Sequence, residues 1–303
     1  AEIYYKRAVA LFPDDDLLKL ELGKVLKQNQ KLGEAKEAFV VYATNNPTDK
    51  NGNKYVLSCD KVRSWSIEEP GYEVENMGEI NSSTADFSPM PYQNGIVFVT
   101  DRFGDHVDEV SANNERAFLS VSFAEMETDS SFKKAKPFNS DINNEYHNGP
   151  ICFNKEQSEA YFTRVDYDRK KGKEFVHKPQ IYFTQLEGKK WSKPEPFIHN
   201  NEKYNFSHPA LSKEGDILFF SSDMPGGSGA LDLYYCKKEG ASWGIPINLG
   251  SNINTSGSEM FPQVYSKEQI YFSSNGHVGY GGLDIFSAQL SEGVWGKVEN
   301  LKT

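Results

Sequence analysis

The apolar positions of the first 65 residues recur at helical spacing, and one group of them repeats after 34 residues. Three small or aromatic residues precede Pro13, and three more precede Pro47 at the same mutual spacing: Ala1, Tyr5 and Ala8, then Ala35, Phe39 and Tyr42. Residues three or four positions apart share one face of an α-helix. The pattern therefore predicts a repeated arrangement of helices joined by turns.

A 34-residue period is that of the tetratricopeptide repeat, whose helix pairs stack because one pair cannot bury its apolar face alone. Leu22-Gly23 stands where the first helix of that repeat has Leu-Gly, and the glycine allows the second helix to approach closely. A further helix, from about Asn53 to Trp65, is expected to cover the second pair. We therefore expect a tetratricopeptide-type helical segment over residues 1–67.

Three carboxylates, those of Asp14, Asp15 and Asp16, stand where one of these helices is expected to begin. Carboxylates at a helix N-terminus accept free backbone N–H groups and complement the helix dipole. These residues are therefore expected to cap the helix rather than to bind a metal ion.

From residue 70 onward the pattern changes to short apolar and aromatic runs separated by turn residues, which is typical of β-strands. Four segments of roughly 50 to 60 residues follow one template, each with a proline that is expected to precede an alternating strand. These prolines are Pro89, Pro150, Pro209 and Pro262. A strand core follows each of them, at 97–99, 161–163, 219–221 and 271–273.

The third and fourth segments are the most similar pair. Residues 219–222 (FFSS) and 229–234 (GALDLY) correspond to 271–274 (YFSS) and 281–286 (GGLDIF). Tryptophans at equal spacing close successive copies, namely Trp191, Trp243 and Trp295. Such regular self-similarity is not needed in a β-sandwich but is typical of propeller blades. The predicted fold is therefore an α plus all-β multidomain chain, with helical hairpins followed by a β-propeller over 70–303.

Two expectations concern how this propeller closes. The phrase at 73–78 resembles 247–250 and 297–301, so it is expected to form the outer strand of a blade shared by the two ends of the ring. Four copies are at the low end of the four to eight blades that close a ring. We therefore expect that further blades follow Thr303 and that the propeller is incomplete in this chain.

The net charge narrows the classes of partner, and the cysteine spacing bears on disulfides and metal sites. The net charge of −10 disfavours nucleic acid, which requires clustered Lys and Arg, and also an anionic membrane surface. No apolar run approaches the roughly 20 residues of a spanning helix. The three cysteines, Cys59, Cys152 and Cys236, are far apart and include no CxxC spacing. Buried free thiols are therefore the favoured interpretation, and one disulfide plus a free thiol is the alternative.

The blade phrases at 219–223 (FFSSD) and 229–234 resemble the TolB-like, tryptophan-aspartate-repeat-like propellers of envelope proteins. Together with the helical segment, they resemble the PorE-like OmpA-family proteins of the type IX secretion system, over nearly the whole chain. The resemblance implies a periplasmic, outer-membrane-associated protein whose repeats and propeller contact envelope or secretion components. It also implies peptidoglycan binding through a domain that is absent from these residues.

The sequence nominates no catalytic, cofactor-binding or metal-binding residue. No GxSxG, HExxH or P-loop spacing occurs, and the six histidines form no cluster in sequence. His147 and His208 stand shortly before two blade prolines, so equivalent positions could bring both to one end of the channel; structural roles are favoured over metal binding. Asp232 and Asp284 are expected to fix turns by accepting backbone N–H groups, with calcium as the less favoured alternative.

Four loops are candidate binding elements. The glycine segments 226–229 and 276–282 are interpreted as hairpin turns rather than phosphate cradles, because no helix follows either of them. The basic run from Arg164 to Lys178 is interpreted as a solvated hairpin tip, with an acidic partner as the alternative. The Asp- and Asn-rich stretch from Gly104 to Glu115 is a candidate partner-facing loop.

These observations favour a non-catalytic periplasmic scaffold that binds envelope or secretion-machinery proteins without turnover and needs no cofactor. Two alternatives remain open. One is a carbohydrate- or peptidoglycan-binding propeller, which would need several aromatic side chains exposed together. The other is the regulatory propeller of a peptidase, whose catalytic domain would lie outside these residues.

Overall fold

Four helices open the chain in the computed structural model, which describes residues 1–68, 71, 73–103, 118–128, 131–168, 175–176, 178–266 and 268–302. They are α1 (Glu2–Leu11), α2 (Asp16–Gln28), α3 (Leu32–Asn45) and α4 (Lys50–Trp65). Each helix packs on the next one in sequence. The predicted helices are confirmed, whereas the division into domains at 67 and 70 stays a prediction.

The helical core forms around α3, as its apolar spacing indicates. Ala35 and Phe39 are fully buried and Tyr42 is nearly so, together with Leu26 of α2 and Cys59 of α4. In α1, which packs against α2, the corresponding positions are more exposed. The 34-residue repeat is therefore present as two similar helices in unequal surroundings.

The start of α2 agrees with the capping role expected of its aspartates. The Asp15 carboxylate accepts a hydrogen bond from the Leu18 backbone N–H at 3.1 Å. The Asp16 carboxylate accepts from Lys19 and from Asn45 near the end of α3. These contacts satisfy a free N–H of the first turn and tie α2 to α3.

Four five-stranded sheets follow, in chain order. Blade one contains β1 (Asp86–Tyr92), β2 (Gly95–Thr100), β3 (Ser120–Thr128), β4 (Ser131–Phe132) and β5 (Lys136–Pro137). Blade two contains β6 (Asn148–Phe153), β7 (Glu159–Arg164), β10 (Gln180–Glu187), β11 (Lys190–Trp191) and β12 (Glu195–Pro196), with β8 (Tyr167–Asp168) and β9 (Phe175–Val176) as a separate hairpin. Blade three contains β13 (Phe206–Leu211), β14 (Ile217–Ser222), β15 (Asp232–Glu239), β16 (Ser242–Trp243) and β17 (Ile247–Asn248). Blade four contains β18 (Glu259–Ser266), β19 (Gln269–Ser274), β20 (Asp284–Ser291), β21 (Val294–Trp295) and β22 (Glu299–Asn300).

The first strands of consecutive blades, β1, β6, β13 and β18, contact one another and so surround the propeller axis. The remaining long strands pair antiparallel outward from them. This arrangement confirms the predicted four-blade propeller.

The four repeat prolines lie inside these innermost strands, not ahead of them as expected from the sequence. Strand register shifts at each proline, which marks a β-bulge. The residue before each proline has a positive φ: 55° at Ser88, 92° at Gly149, 54° at His208 and 52° at Phe261. Proline has no N–H for the ladder and is tolerated in a strand at a bulge. The expected placement was therefore wrong by a few residues in every blade.

Apolar side chains fill the spaces between consecutive blades. Phe162 of blade two packs with Val97 of blade one, and Phe220 of blade three packs in one cluster with Tyr161 of blade two. Phe272 of blade four packs with Phe219 and Leu233 of blade three. The other buried members of that cluster are Ala210, Leu249, Ile253, Ile270, Phe286, Ala288 and Trp295. Burying one such side chain contributes about 1.5–3 kcal/mol, so these layers account for much of the propeller's stability.

The tryptophans that close successive copies pack against the blade that precedes their own. Trp191 lies 6.4 Å from Phe138, and Trp295 lies 6.4 Å from Phe219, measured between ring centroids. The Trp243 indole N–H donates to the Tyr161 hydroxyl at 3.1 Å. The tryptophans at the predicted repeat positions therefore form contacts between blades.

The segment before blade one differs from the expected outer strand. No residue of 73–85, a range that the structure describes in full, belongs to a strand. The Ile80 side chain is buried against Phe98 and Ala124 instead, on the face of blade one that is turned away from blade two. Ala135, Phe103 and Phe132 complete the cover of that face, and Val74 remains 79% exposed.

All three cysteines are buried and free, which agrees with the favoured interpretation of the sequence. Among the described residues, no helix is long and apolar enough to cross a bilayer.

Replacing Gly23 with Ala is expected to destabilise the helical segment. A Cβ at this position would lie 2.5 Å from the Phe39 ring, so α2 and α3 would have to separate. We expect a loss of about 1–3 kcal/mol in the free energy of unfolding, measured by urea denaturation followed by circular dichroism. Gly33→Ala in α3 is the matched control, because its Cβ would meet open space; equal effects of the two changes would contradict the close approach.

Candidate functional site: the open face of blade four

Blade four presents a face that no described blade covers. Blade one meets it near the axis, where the Phe87 and Phe261 rings are edge to face with centroids 5.9 Å apart. Beyond this contact a cavity of 580 Å³ lies between β1 and the outward side of blade four. Its lining consists of Phe87, Ser88, Pro89, Phe261, Gln263, Tyr271, Phe272, Ser273, Leu283 and Ile285. We call the surface formed by Phe87, Phe261, Tyr271, Leu283 and Ile285 the open face.

Blade three shows how the equivalent face is buried elsewhere in the repeat. Leu233 of blade three pairs with Ser221, and its counterpart Ile285 of blade four pairs with Ser273 in the same register. Leu233 is 0% exposed because blade four covers it, whereas Ile285 is 45% exposed. The open face is therefore built like a surface between blades and lacks the neighbour that covers the equivalent surface of blade three.

Two further side chains of the open face are more exposed than is usual between blades: Leu283, directly before Asp284, and Tyr271 in β19. Leu283 is 48% exposed, and Tyr271 stands where blade three has Phe219, which is 3% exposed. Covering a Leu or Ile side chain contributes about 1.5–3 kcal/mol. Leaving two of them half exposed on one surface is typical of a binding surface.

The lining of the cavity is chemically suited to contact rather than to proton transfer. Its ten residues are aromatic, aliphatic, hydroxyl-bearing or amide side chains, with no carboxylate, imidazole, thiol or amine among them. General acid–base catalysis needs a positioned group that exchanges a proton near neutral pH. The lining therefore offers mainly an apolar contact surface.

His208 lies beside the open face, on the innermost strand of blade three. Its ring centroid is 4.0 Å from that of Phe261, and its backbone N–H donates to Thr163 Oγ1. Burial lowers the pKa of His208 to about 3, so the ring is neutral at physiological pH. The hydrogen-bond partner described for its ring is the Ser207 hydroxyl rather than a carboxylate.

His147 does not occupy the position equivalent to His208, which corrects the expected equivalence of the two positions, whereas their location at one end of the channel stays a prediction. Gly149 holds the equivalent place directly before its proline. The His147 Nδ1 accepts from the Leu119 N–H at 3.2 Å, and its ring packs edge to face on Phe118. Both histidines thus make structural contacts.

The blade aspartates hold the glycine segments in place. The Asp232 carboxylate accepts from the Ser228 and Gly229 N–H groups at 2.6 and 2.9 Å. The Asp284 carboxylate accepts from the Tyr280 and Gly281 N–H groups at 2.8 and 3.2 Å. This geometry agrees with the turn-fixing role expected of both, and the described residues include no group of three metal-ligating side chains.

The basic run is described only in part. Arg164 donates to the Asp141 and Ile142 carbonyl oxygens and lies over the Phe162 ring, so this guanidinium is held within blade two. Lys178 donates to Asp223 at 2.8 Å. Strands β8 and β9 form the hairpin between them, while 169–174 and the candidate loop 104–115 lie outside the described residues.

Known proteins share the arrangement only distantly. No family model matches the sequence, and no curated protein does. A thermostable family-43 glycoside hydrolase is 13% identical, with a TM-score of 0.46 over 71% of this chain and 74% of that chain. A puromycin-hydrolyzing peptidase of Mycobacterium tuberculosis is 13% identical, with a TM-score of 0.40 over 70% of this chain and 30% of that chain. TolB from Acinetobacter baumannii is 12% identical, with a TM-score of 0.35 over 59% of this chain and 37% of that chain. Likeness at this level carries no inference about what the chain does.

The neutral state of His208 predicts a pH dependence of stability. Its folded pKa lies below that of an unfolded histidine, so the unfolded chain binds the extra proton first as the pH falls below about 6.5. We expect His208→Asn to make the free energy of unfolding less dependent on pH between 6.5 and 4, by up to about 1 kcal/mol per pH unit. Asn tolerates the positive φ of this position. Parallel profiles for the two proteins, measured by urea denaturation, would show that His208 is protonated in the fold.

Proposed function

We propose that this chain is a non-catalytic scaffold that binds a protein partner through the open face of blade four. The observation that carries the proposal is the half-exposed Ile285 at a position whose counterpart, Leu233, is buried between blades. A partner that presents an apolar sheet surface would bury the open face as blade four buries blade three. The lining without acid or base side chains supports recognition without turnover.

A second apolar surface lies on the helical segment and supports the same role. Ile3, Tyr4, Leu11 and Phe12 of α1 and its end are between 62% and 75% exposed. Stable protein interfaces bury roughly 800 Å² per partner, and a second apolar surface adds to the area that the open face offers. We propose that the open face anchors the partner and that other exposed loops and helices extend the interface.

The cellular setting is proposed from the resemblance in the sequence. The helical repeats and blade phrases resemble those of PorE-like OmpA-family proteins of the type IX secretion system. We place the chain in the periplasm, associated with the outer membrane, and its partners among envelope or secretion-machinery proteins. Peptidoglycan would be reached through segments outside these residues.

The carbohydrate-binding alternative draws little support from the tryptophans. Trp191 and Trp295 are 7% and 8% exposed, and both pack between blades. Trp243 contacts Tyr161 through its indole N–H. A sugar platform needs aromatic faces that are open together, and these three side chains already serve to join blades.

Replacing Ile285 with Ser is expected to weaken partner binding while leaving the fold intact. The side chain is half exposed, so its loss costs the free protein little, but a covered Ile contributes about 1.5–3 kcal/mol to the complex. We expect a loss of roughly ten- to a hundredfold in affinity. The measurement is capture of envelope proteins by the tagged chain, identified by mass spectrometry and quantified by titration.

Ile245→Ser is the matched control, because Ile245 is 77% exposed on blade three, away from the open face. Partners that the wild type and Ile245→Ser capture and Ile285→Ser does not would support the proposal. Equal capture by all three proteins would contradict it. Sedimentation with peptidoglycan in the absence of a protein partner would favour the wall-binding alternative.

A further inference from the structure

A second cavity, of 370 Å³, lies where the helices meet blade four. Helices α2 and α4 form one wall, and the loops before β18 and between β19 and β20 form the other. Contacts between the helices and blade four include a hydrogen bond from the Ser256 hydroxyl to the Asn51 Oδ1 at 2.8 Å and the Trp65 and Tyr280 rings, whose centroids lie 5.5 Å apart. The cavity is thus enclosed by both structural parts of the chain.

Three lysines line this cavity. Lys24 and Lys27 are one turn apart on α2, and Lys54 is on α4. The ammonium groups of Lys24 and Lys54 each lie 5.7 Å from the Tyr55 ring centroid. Three positive charges therefore converge on one small space in a chain whose net charge is −10.

Lys27 is the most unusual of the three, because it is 6% exposed. Its ammonium group donates to the Ser58 hydroxyl at 2.7 Å and to the Gly279 carbonyl oxygen at 2.6 Å. Both acceptors are neutral, and an ammonium group has three N–H donors. A buried charge normally has a counter-charge, and these contacts do not supply one.

Lys54 is in a similar position. Its ammonium group donates to the neutral Asn51 Oδ1 at 2.8 Å. Among the described residues, neither Lys27 nor Lys54 has a carboxylate oxygen within ion-pair distance, whereas Lys24 pairs with Glu21 at 2.7 Å. Burial lowers the pKa of both Lys27 and Lys54.

The acidic groups nearest to these lysines are already engaged. The Asp284 carboxylate accepts from loop N–H groups, and the buried Glu259 accepts from Thr255 and Ser274. Asp49 accepts from the Tyr42 hydroxyl and the Asn51 N–H. The other titratable groups around the two lysines are Lys24, Cys59 and His277.

We propose that this cavity binds a multiply charged oxyanion of the sulfate or phosphate type, held by Lys27 and Lys54. The carboxylates that act on the two lysines, Asp284, Glu259 and Asp49, lie beyond ion-pair distance, so such an anion supplies a counter-charge in direct contact with both ammonium groups. Charge-assisted hydrogen bonds to oxyanions are about twice as strong as neutral ones. The anion is either a free ion or a group carried by a larger molecule. Because both walls contribute to the cavity, binding also ties the helices to blade four.

The test is isothermal titration calorimetry of the intact chain with sulfate and with inorganic phosphate, at constant ionic strength maintained with sodium chloride. We expect one site in the wild type and at least tenfold weaker binding in Lys54→Met. Lys213→Met is the control, because Lys213 is an exposed lysine of blade three; its binding should equal that of the wild type. Lys54→Gln removes the same charge but keeps a polar side chain, so it is the second variant, with the same expected loss, should Lys54→Met fail to fold.

Sulfate carries two charges throughout pH 6–10, so a change in its affinity reports on the protein. Lysines with lowered pKa values lose their protons earlier as the pH rises, and we expect sulfate affinity to fall over that range. Tighter binding of citrate or a sugar phosphate than of either inorganic ion would identify a larger ligand as the source. Absence of sulfate and phosphate binding at millimolar concentration, or equal binding by Lys54→Met, would overturn the proposal.

Discussion

The stacking of one blade on the next is the interaction on which the rest of this structure depends. A sheet in a propeller has two apolar faces, and each must be covered by a neighbour. Phe162, Phe220 and Phe272 fill the three successive spaces between blades, and the closing tryptophans pack on the blade before their own. Ile80 helps to cover the free face of blade one, together with Ala135, Phe103 and Phe132. No described blade covers the open face of blade four, which is why we propose it as the surface that a partner binds.

The helices obey the same requirement over a shorter distance. Gly23 allows Phe39 to approach α2, so α2, α3 and α4 form one core. This unit meets blade four through loops rather than through an apolar face, with Trp65 on Tyr280 and Lys27 on Gly279. Loops fit less closely than interlocking side chains, and the lysine-lined cavity is the space that remains between them. Its charges make that space selective for anions.

Periodicity was sufficient to predict the helices, the four blades and the repeat positions of the tryptophans, because each depends on local spacing. It misplaced the blade prolines, because the sequence alone does not distinguish a proline at a β-bulge inside a strand from a proline that precedes a strand. It also treated His147 and His208 as equivalent positions, although Gly149 holds the position equivalent to His208. Ile285 and Lys27 could not be recognised as site residues. Their exposure depends on whether a blade or a loop lies over them, which only tertiary packing decides.

Site-specific photo-crosslinking tests the central claim most directly. A photoreactive phenylalanine analogue placed at position 285 would lie on the open face, and the same analogue at position 245 would lie on blade three. In envelope extracts, we predict that position 285 crosslinks one defined protein and that position 245 does not. Crosslinks at 245 without any at 285, or none at either position, would contradict the claim that the open face of blade four is where this protein binds its partner.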